Sequence, residues 1–153
     1  MGHTYVSNLV HYVFSTKHRQ KLITLQLEER LWPYMGGIAR ENSMKALSIG
    51  GTDDHLHMLL SLPATISVAK AVQLIKGGSS KWVHDQFRQY RDFGWQEGYG
   101  AFSYGHSQLD TIIRYIQNQE KHHSRRSFRH EYLTLLRKFD IAFEDKYVFD
   151  FIE

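Results

Sequence analysis

MKALSIGGTDDHLHMLLSL, residues 44–62, holds two short apolar runs separated by turn-forming residues. The runs over residues 44–49 and 55–62 are short and end at turn formers, which is typical of β-strands. Between them stands Gly50-Gly51-Thr52-Asp53, a combination that favours a tight turn. The stretch therefore predicts a β-hairpin, and with it an antiparallel sheet.

Helical patterns flank this hairpin on both sides. Upstream, Thr24 can cap a helix whose apolar residues recur at helical spacing, and Pro33 is expected to disturb that helix midway. Downstream, Thr65 or Ser67 can begin a long helix that Gly77-Gly78 should weaken in the middle. Both helices carry an apolar side, so we expect them to pack on the sheet.

The two ends of the chain complete the order of elements. Residues 3–14 mix apolar with alternating polar side chains and predict a first strand. A glycine-rich loop precedes a short strand near residues 101–104, and two helices are predicted over about residues 107–121 and 131–138. The order β, α, β, β, α, β, α, α is that of an α+β fold of the ferredoxin-like (RRM-like) type with C-terminal helices added. We expect one domain over residues 1–153, with helices on one face of the antiparallel sheet and the other face open for chemistry.

The composition fits one folded domain and excludes several classes of protein. Hydrophobic residues make up 42% of the 153 residues, which is enough for a core and too much for a disordered chain. The absence of cysteine excludes disulfides, thiolate metal sites and a cysteine nucleophile, and it favours a reducing compartment. Because no apolar run approaches the ~20 residues of a membrane helix and no secretory signal is recognisable, we expect a cytoplasmic protein with no membrane contact.

Basic residues are concentrated in the middle of the chain. The net charge is only +3, but residues 70–91 hold five basic residues against one acidic residue, and residues 114–138 hold seven against two. The segment 140–153 reverses this balance, with five acidic residues and one lysine. This distribution favours a polyanionic partner on one face, although solvated helix surfaces would give the same pattern.

Two histidines alternate with apolar residues in the second strand of the predicted hairpin. Because strand side chains alternate, His55 and His57 would point to one face of the sheet. Two neighbouring imidazoles can ligate one divalent ion and leave positions for water, a third ligand and a substrate oxygen. The same residues could also be ordinary polar side chains of a half-exposed strand, so the His-x-His pattern alone leaves both interpretations open.

A second pair of polar residues lies on the predicted helix near residue 110. At about 100° per residue, Tyr115 and Gln119 stand one turn apart at the edge of an apolar stripe and can reach the same point. A tyrosine in such a position is usually a packing residue, and a glutamine there usually lies on the surface. This pair also leaves both interpretations open.

Taken together, the two patterns are more specific. A His-hydrophobic-His strand followed by Tyr-Ile-x-x-Gln on a helix, in a short basic α+β chain, resembles the single-tyrosine transposases of the insertion-sequence 200/605 family, which belong to the HUH endonucleases. The resemblance covers most of the chain. It rests on Ser15-Thr16-Lys17-His18-Arg19, Asp54-His55-Leu56-His57, Trp95-Gln96-Glu97-Gly98-Tyr99, Tyr115-Ile116-Gln117-Asn118-Gln119, and His122-His123 followed by Ser127-Phe128 and Glu131-Tyr132.

The resemblance implies cleavage and rejoining of single-stranded DNA at the ends of a mobile element, after recognition of DNA hairpins. It implies that Tyr115 is the nucleophile and forms a 5′-phosphotyrosine link, and that His55, His57 and Gln119 hold one Mg²⁺ or Mn²⁺. Family members act as homodimers, in which the tyrosine helix of one subunit can complete the metal site of the other. Since the phosphotyrosine conserves the energy of the broken bond, no nucleotide cofactor is expected.

Further residues could assist this chemistry. Asp54 could orient His55 or assist the metal, and His122 could contact phosphate or transfer a proton. Each has a simpler interpretation, as a turn residue and as a surface residue. The candidate phosphate contacts are the basic residues Lys17, Arg19, Lys76, Lys81, Arg114, Lys121, Arg125 and Arg126.

Two alternative functions remain open at the level of sequence. The chain could be an HUH nuclease of the replication-initiator or relaxase type, although such proteins are commonly larger. It could also be a non-catalytic nucleic-acid-binding module, because RNA-binding domains share the ferredoxin-like plan. The aromatic run of an RNA-recognition motif is missing from the sequence.

Overall fold

The computed structural model describes residues 2–119 and 127–148. Its four strands form one antiparallel sheet in the order β2-β3-β1-β4. The strands are β1 (Leu9–Ser15), β2 (Lys45–Gly51), β3 (His55–Ser61) and β4 (Gly100–Tyr104), and the helices are α1 (Leu25–Glu41), α2 (Val68–Gln86), α3 (Leu109–Gln117), α4 (Phe128–Lys138) and α5 (Asp145–Val148). The α+β class, the antiparallel sheet and the order of elements through α4 are confirmed.

The hairpin is confirmed, but its turn lies later than predicted. Gly50 and Gly51 belong to β2, where they pair with His57 and Leu56. A Cβ atom at Gly50 would stand 2.5 Å from the carbonyl oxygen of Ile116. Gly50 is therefore required for the close approach of α3 to the sheet, a tertiary contact, and does not form the turn.

One face of the sheet packs against α1 and α2. The core between them includes Leu56 and Met58 of β3, which alternate with the two histidines. Thr24 and Ser67 cap these helices as predicted, each accepting a hydrogen bond from a backbone N–H of the first turn. α1 continues through Pro33, whose side chain is exposed on the helix surface.

The glycine pair in α2 also differs from the prediction, since the helix runs through it without interruption. A Cβ atom at Gly78 would stand 2.9 Å from Cδ1 of Ile38 in α1. The missing side chain therefore lets the two helices pack closely. Gly77 has no atom within 4 Å of the corresponding position.

The opposite face of the sheet is covered, which corrects the expectation of an open face. α3 packs Ile112 and Ile116 against Leu9 and Leu59, and α4 packs a second apolar cluster against the same face. Every residue of β1 is buried, since helices cover both faces of the sheet. The chemistry must therefore take place beneath α3 and α4.

The ends of two elements also differ from the prediction. β1 begins at Leu9, because residues 2–7 are exposed and pair with no strand of the described chain. α3 ends at Gln117. In the parts of the chain that the structure describes, no helix has the length and apolar character needed to cross a membrane.

Candidate active site

The two histidines of β3 lie side by side on the face covered by α3 and α4. His55 and His57 are fully buried, and their ring centroids are 5.5 Å apart. The two histidines share one face of the sheet, as the strand alternation predicts. Because both are buried, the alternative interpretation of polar side chains on a half-exposed strand is wrong. Two buried imidazoles need polar partners, because an unpaired buried polar group is costly.

Asp54 contacts the Nδ1 atom of His55. The Nδ1 atom of His55 is 2.8 Å from Asp54 Oδ1, and the hydroxyl of Thr52 is 2.9 Å from the same nitrogen. Burial raises the pKa of Asp54, but hydrogen bonds from His55 and Thr52 and the charge of Arg19 outweigh it and lower that pKa. A carboxylate that accepts a hydrogen bond from Nδ1–H keeps the proton on Nδ1, so the lone pair of His55 is on Nε2, the nitrogen that can bind a metal.

The Nδ1 atom of His57 contacts an imidazole, whereas the Nδ1 atom of His55 contacts a carboxylate. The Nδ1 atom of His57 is 2.7 Å from Nε2 of His11, a buried residue of β1, and the two rings stack at 4.9 Å. Burial, followed by the neighbouring His57, lowers the pKa of His11 well below its usual value. The other nitrogen of His57, Nε2, is 2.8 Å from Oε1 of Glu131.

Glu131 joins the histidines to the end of α3. Its carboxylate is 6% exposed and comes from the first turn of α4. Oε2 accepts hydrogen bonds from the hydroxyl of Tyr115 and, at 3.3 Å, from Nε2 of Gln119. Burial and the charge of Glu131 raise the pKa of Tyr115, so its phenol is strongly favoured over the phenolate.

The predicted pair, Tyr115 on α3 and Gln119 two residues beyond its end, therefore reaches one point, as the spacing indicated. Gln119 is buried, and its Oε1 atom is 3.1 Å from Nε2 of His55. Tyr115 is partly buried and stands over the ring of His57, with centroids 5.5 Å apart. The structure thus brings Tyr115, Gln119, His55 and His57 together within one chain.

These residues fit a divalent cation. His55, His57 and Glu131 each offer a ligand atom, and these atoms lie within 4.8 Å of one another. Two imidazole nitrogens and one carboxylate oxygen suit Mn²⁺ well, whereas Mg²⁺ prefers a larger share of oxygen ligands. The amide oxygen of Gln119 beside His55 adds a further oxygen donor.

Sequence reasoning gave no role in the site to two residues of this cluster, His11 and Glu131, although Glu131-Tyr132 is among the residues that carry the family resemblance. Glu131 stands three residues after Phe128 and four before Leu135, so it shares their buried helix face, where a carboxylate is unusual. His11 lies between Leu9 and Val13 on one face of β1, and both of these apolar residues are buried. In both cases the available signal was a polar residue at a position that the periodicity assigns to the core.

The structure places the candidate phosphate contacts in different surroundings. Arg19 lies beside the site, with Nε 3.5 Å from Asp54 Oδ2, whereas the ammonium of Lys76 donates to the carbonyl of Gly98 at 2.9 Å. The exposed members of the set are Lys17, Lys81 and Arg114. The remaining candidates lie outside the described residues: Lys121, His122, Arg125 and Arg126. DNA contacts by this set stay predictions.

Comparisons with known proteins agree on one family. A family model described as "Transposase IS200 like" matches residues 4–119. The transposase for insertion sequence element IS200 of Salmonella typhimurium is 26% identical over 125 residues, which cover 78% of this chain and 81% of that protein.

Two solved structures share the fold. A crystal structure of a Deinococcus radiodurans protein matches with a TM-score of 0.61 and 22% identity, over 78% of this chain and 96% of that chain. The REP-associated tyrosine transposase bound to a REP hairpin matches with a TM-score of 0.54 and 15% identity, over 77% of this chain and 70% of that chain.

Proposed function

The chain belongs to the IS200-like transposase family, and on that premise we propose that it cleaves and rejoins single-stranded DNA at the ends of a mobile element after recognising a DNA hairpin. As a transposase of this family, it is an enzyme that acts on DNA. The observation that carries the proposal is the contact of the Tyr115 hydroxyl with a carboxylate that also binds His57. This contact places the hydroxyl of Tyr115 beside the proposed metal ligands, where a nucleophile is needed.

Tyr115 is the proposed nucleophile. Its hydroxyl oxygen attacks the phosphorus of a phosphodiester, the bond from phosphorus to the 3′ oxygen breaks, and the products are a 5′-phosphotyrosine and a free 3′-hydroxyl. A 3′-hydroxyl of another strand end can then attack the same phosphorus and release Tyr115. The number of phosphoester bonds is conserved, so the reaction needs no nucleotide cofactor.

Glu131 is positioned to receive the phenolic proton. Because burial and the charge of this carboxylate raise the pKa of Tyr115, the hydroxyl is protonated before the reaction. Its hydrogen bond points to Glu131 Oε2. As Tyr115 attacks, the proton can move along this bond to the carboxylate.

The proposed cofactor is one Mg²⁺ or Mn²⁺, held by His55, His57 and Gln119 together with Glu131. When bound, the cation would supply positive charge that offsets the negative charge growing on the phosphate. Asp54 would orient His55 from behind.

The proposed partner is a DNA hairpin with adjacent single-stranded DNA. The REP-associated tyrosine transposase that shares the fold is bound to a REP hairpin, which supports this choice. Arg19, beside Asp54, and the exposed Lys17 and Arg114 are proposed phosphate contacts. We also propose a homodimer. Since Tyr115 meets Glu131 of its own chain, each subunit would use its own tyrosine.

The test is a covalent protein–DNA adduct. The protein is incubated with a hairpin oligonucleotide carrying single-stranded flanks, in Mn²⁺, and the products are separated under denaturing conditions. We expect an adduct with wild type and with Tyr104→Phe, a tyrosine on the same sheet face, and none with Tyr115→Phe. Hairpin binding without any adduct in the wild type would instead indicate a non-catalytic binding module.

A further inference from the structure

His11 lies in the middle of the central strand, on the same face as the histidines of β3. It pairs with Leu59 of β3 and Phe102 of β4, and its side chain is fully buried. Two residues along β1, the next pair on the same face joins Val13 to His57, so His11 and His57 are diagonal neighbours. The sheet therefore fixes the position of the His11 ring relative to the His57 ring.

The nitrogen of His57 that carries the proton determines which hydrogen bond His11 can make to it. A metal binds the unprotonated nitrogen of a neutral imidazole, so a metal at Nε2 requires that the proton of His57 sits on Nδ1. His57 Nδ1 is 2.7 Å from His11 Nε2. In this state His57 donates to His11, and the proton of neutral His11 must then be on its own Nδ1.

The remaining nitrogen of His11 shows that the arrangement is not optimised for stability. Nδ1 of His11 is buried and has no hydrogen-bond partner in the described part of the chain. An apolar side chain at this position could pack beside Phe102 and Tyr104, but it would take from the buried Nδ1 atom of His57 the partner that His11 provides. A role in packing therefore does not account for a histidine here.

We propose that His11 is a positioning residue that accepts the Nδ1–H hydrogen bond of His57 and so holds the Nε2 lone pair of His57 toward the metal. This proposal rests on the proposed metal site. His11 does for His57 what Asp54 does for His55, where the acceptor lies 2.8 Å from Nδ1. A neutral acceptor behind one histidine and a carboxylate behind the other would limit the negative charge around the metal to the carboxylates of Asp54 and Glu131.

The test compares variants that keep or remove the acceptor. Gln at position 11 can place an amide oxygen near the position of Nε2, whereas Phe fills the space without an acceptor. Mn²⁺ binding is followed by electron paramagnetic resonance of the free ion, and thermal unfolding is measured without metal. We expect His11→Phe to raise the Kd for Mn²⁺ by about 10- to 100-fold and His11→Gln to restore most of the affinity, and the thermal unfolding curves show that each variant is folded.

Two controls separate this inference from the metal site itself. His57→Ala should abolish the specific Mn²⁺ binding, and Tyr104→Phe, which changes the packing beside His11, should leave it unchanged. If the wild type binds no Mn²⁺, or if His57→Ala binds as the wild type does, the proposed metal site is wrong. If His57→Ala loses binding but His11→Phe binds like the wild type, the role of His11 is wrong.

Two further outcomes also decide the question. Equal loss of Mn²⁺ affinity in His11→Phe and His11→Gln would contradict the acceptor role, because only one of them lacks an acceptor. If the ring of His11→Phe prevents folding, His11→Met gives the same comparison, since a flexible apolar side chain adapts to the space.

Discussion

The carboxylate of Glu131 accepts a hydrogen bond from the hydroxyl of Tyr115, although the two residues belong to different helices. The same carboxylate lies 2.8 Å from Nε2 of His57. One acidic side chain therefore connects the proposed nucleophile to the proposed metal ligands. This contact is also the reason why α4, which comes from the C-terminal part of the chain, is needed for the site.

Replacing this acid should weaken metal binding. Glu131→Gln keeps the size of the side chain but replaces one acceptor oxygen with an NH₂ donor and removes the negative charge. We expect the Kd for Mn²⁺ to rise by at least about 10-fold, measured by electron paramagnetic resonance titration. Glu144→Gln, at an exposed position with a side chain 67% accessible, is the control and should bind Mn²⁺ like the wild type. Equal affinities of the two variants would remove Glu131 from the metal site.

The close contact of α3 with the sheet should depend on Gly50. In Gly50→Ala, the added Cβ atom would stand 2.5 Å from the carbonyl oxygen of Ile116. We expect this overpacking to lower the free energy of unfolding by about 1–3 kcal/mol in urea denaturation. It should also reduce adduct formation, since α3 carries Tyr115.

The matched control is Gly77→Ala, in an open position within α2. Because alanine favours the helix over glycine, this variant should gain up to about 1 kcal/mol. A Gly50→Ala protein as stable as the wild type would show that α3 does not approach the sheet as described.

The stability of the metal-free protein should decrease in mild acid because of His11. Burial lowers the pKa of this histidine in the folded state, so the fold keeps it neutral while the unfolded chain takes up a proton near about pH 6.5. Above that pH the histidine is neutral in both states and causes no loss of stability. As the pH falls toward the folded pKa, protonation of the unfolded chain lowers the free energy of unfolding.

In His11→Phe this pH-dependent loss of stability is absent, because phenylalanine does not titrate. Urea denaturation of both proteins between about pH 5 and pH 8 should therefore give a shallower loss of stability for the variant below about pH 6.5. Parallel curves for the two proteins would contradict a buried, neutral His11.

Local patterns in the sequence were sufficient for most of the fold. Strand alternation placed His55 and His57 on one face, and helix periodicity placed Tyr115 and Gln119 on one edge. These rules depend only on neighbours within a few residues. They therefore identify which side chains share a surface, but not what covers that surface.

The rest of the site depends on contacts between distant parts of the chain. Gly50 looks like a turn residue until the carbonyl of Ile116 is seen above it. The burial of Glu131 is explained by contacts with distant elements, among them His57 and the hydroxyl of Tyr115. Such pairings follow from the packing of α3 and α4, which no local pattern encodes.

The most direct measurement is the identification of the amino acid that carries DNA after cleavage. The covalent adduct is digested with nuclease and trypsin and analysed by tandem mass spectrometry; trypsin cuts after Arg114 and Lys121, and the resulting peptide contains a single tyrosine. We expect the nucleotide phosphate on Tyr115. A nucleotide on any other residue, or cleavage of the DNA without a covalent adduct, would contradict a transposase whose nucleophile is Tyr115.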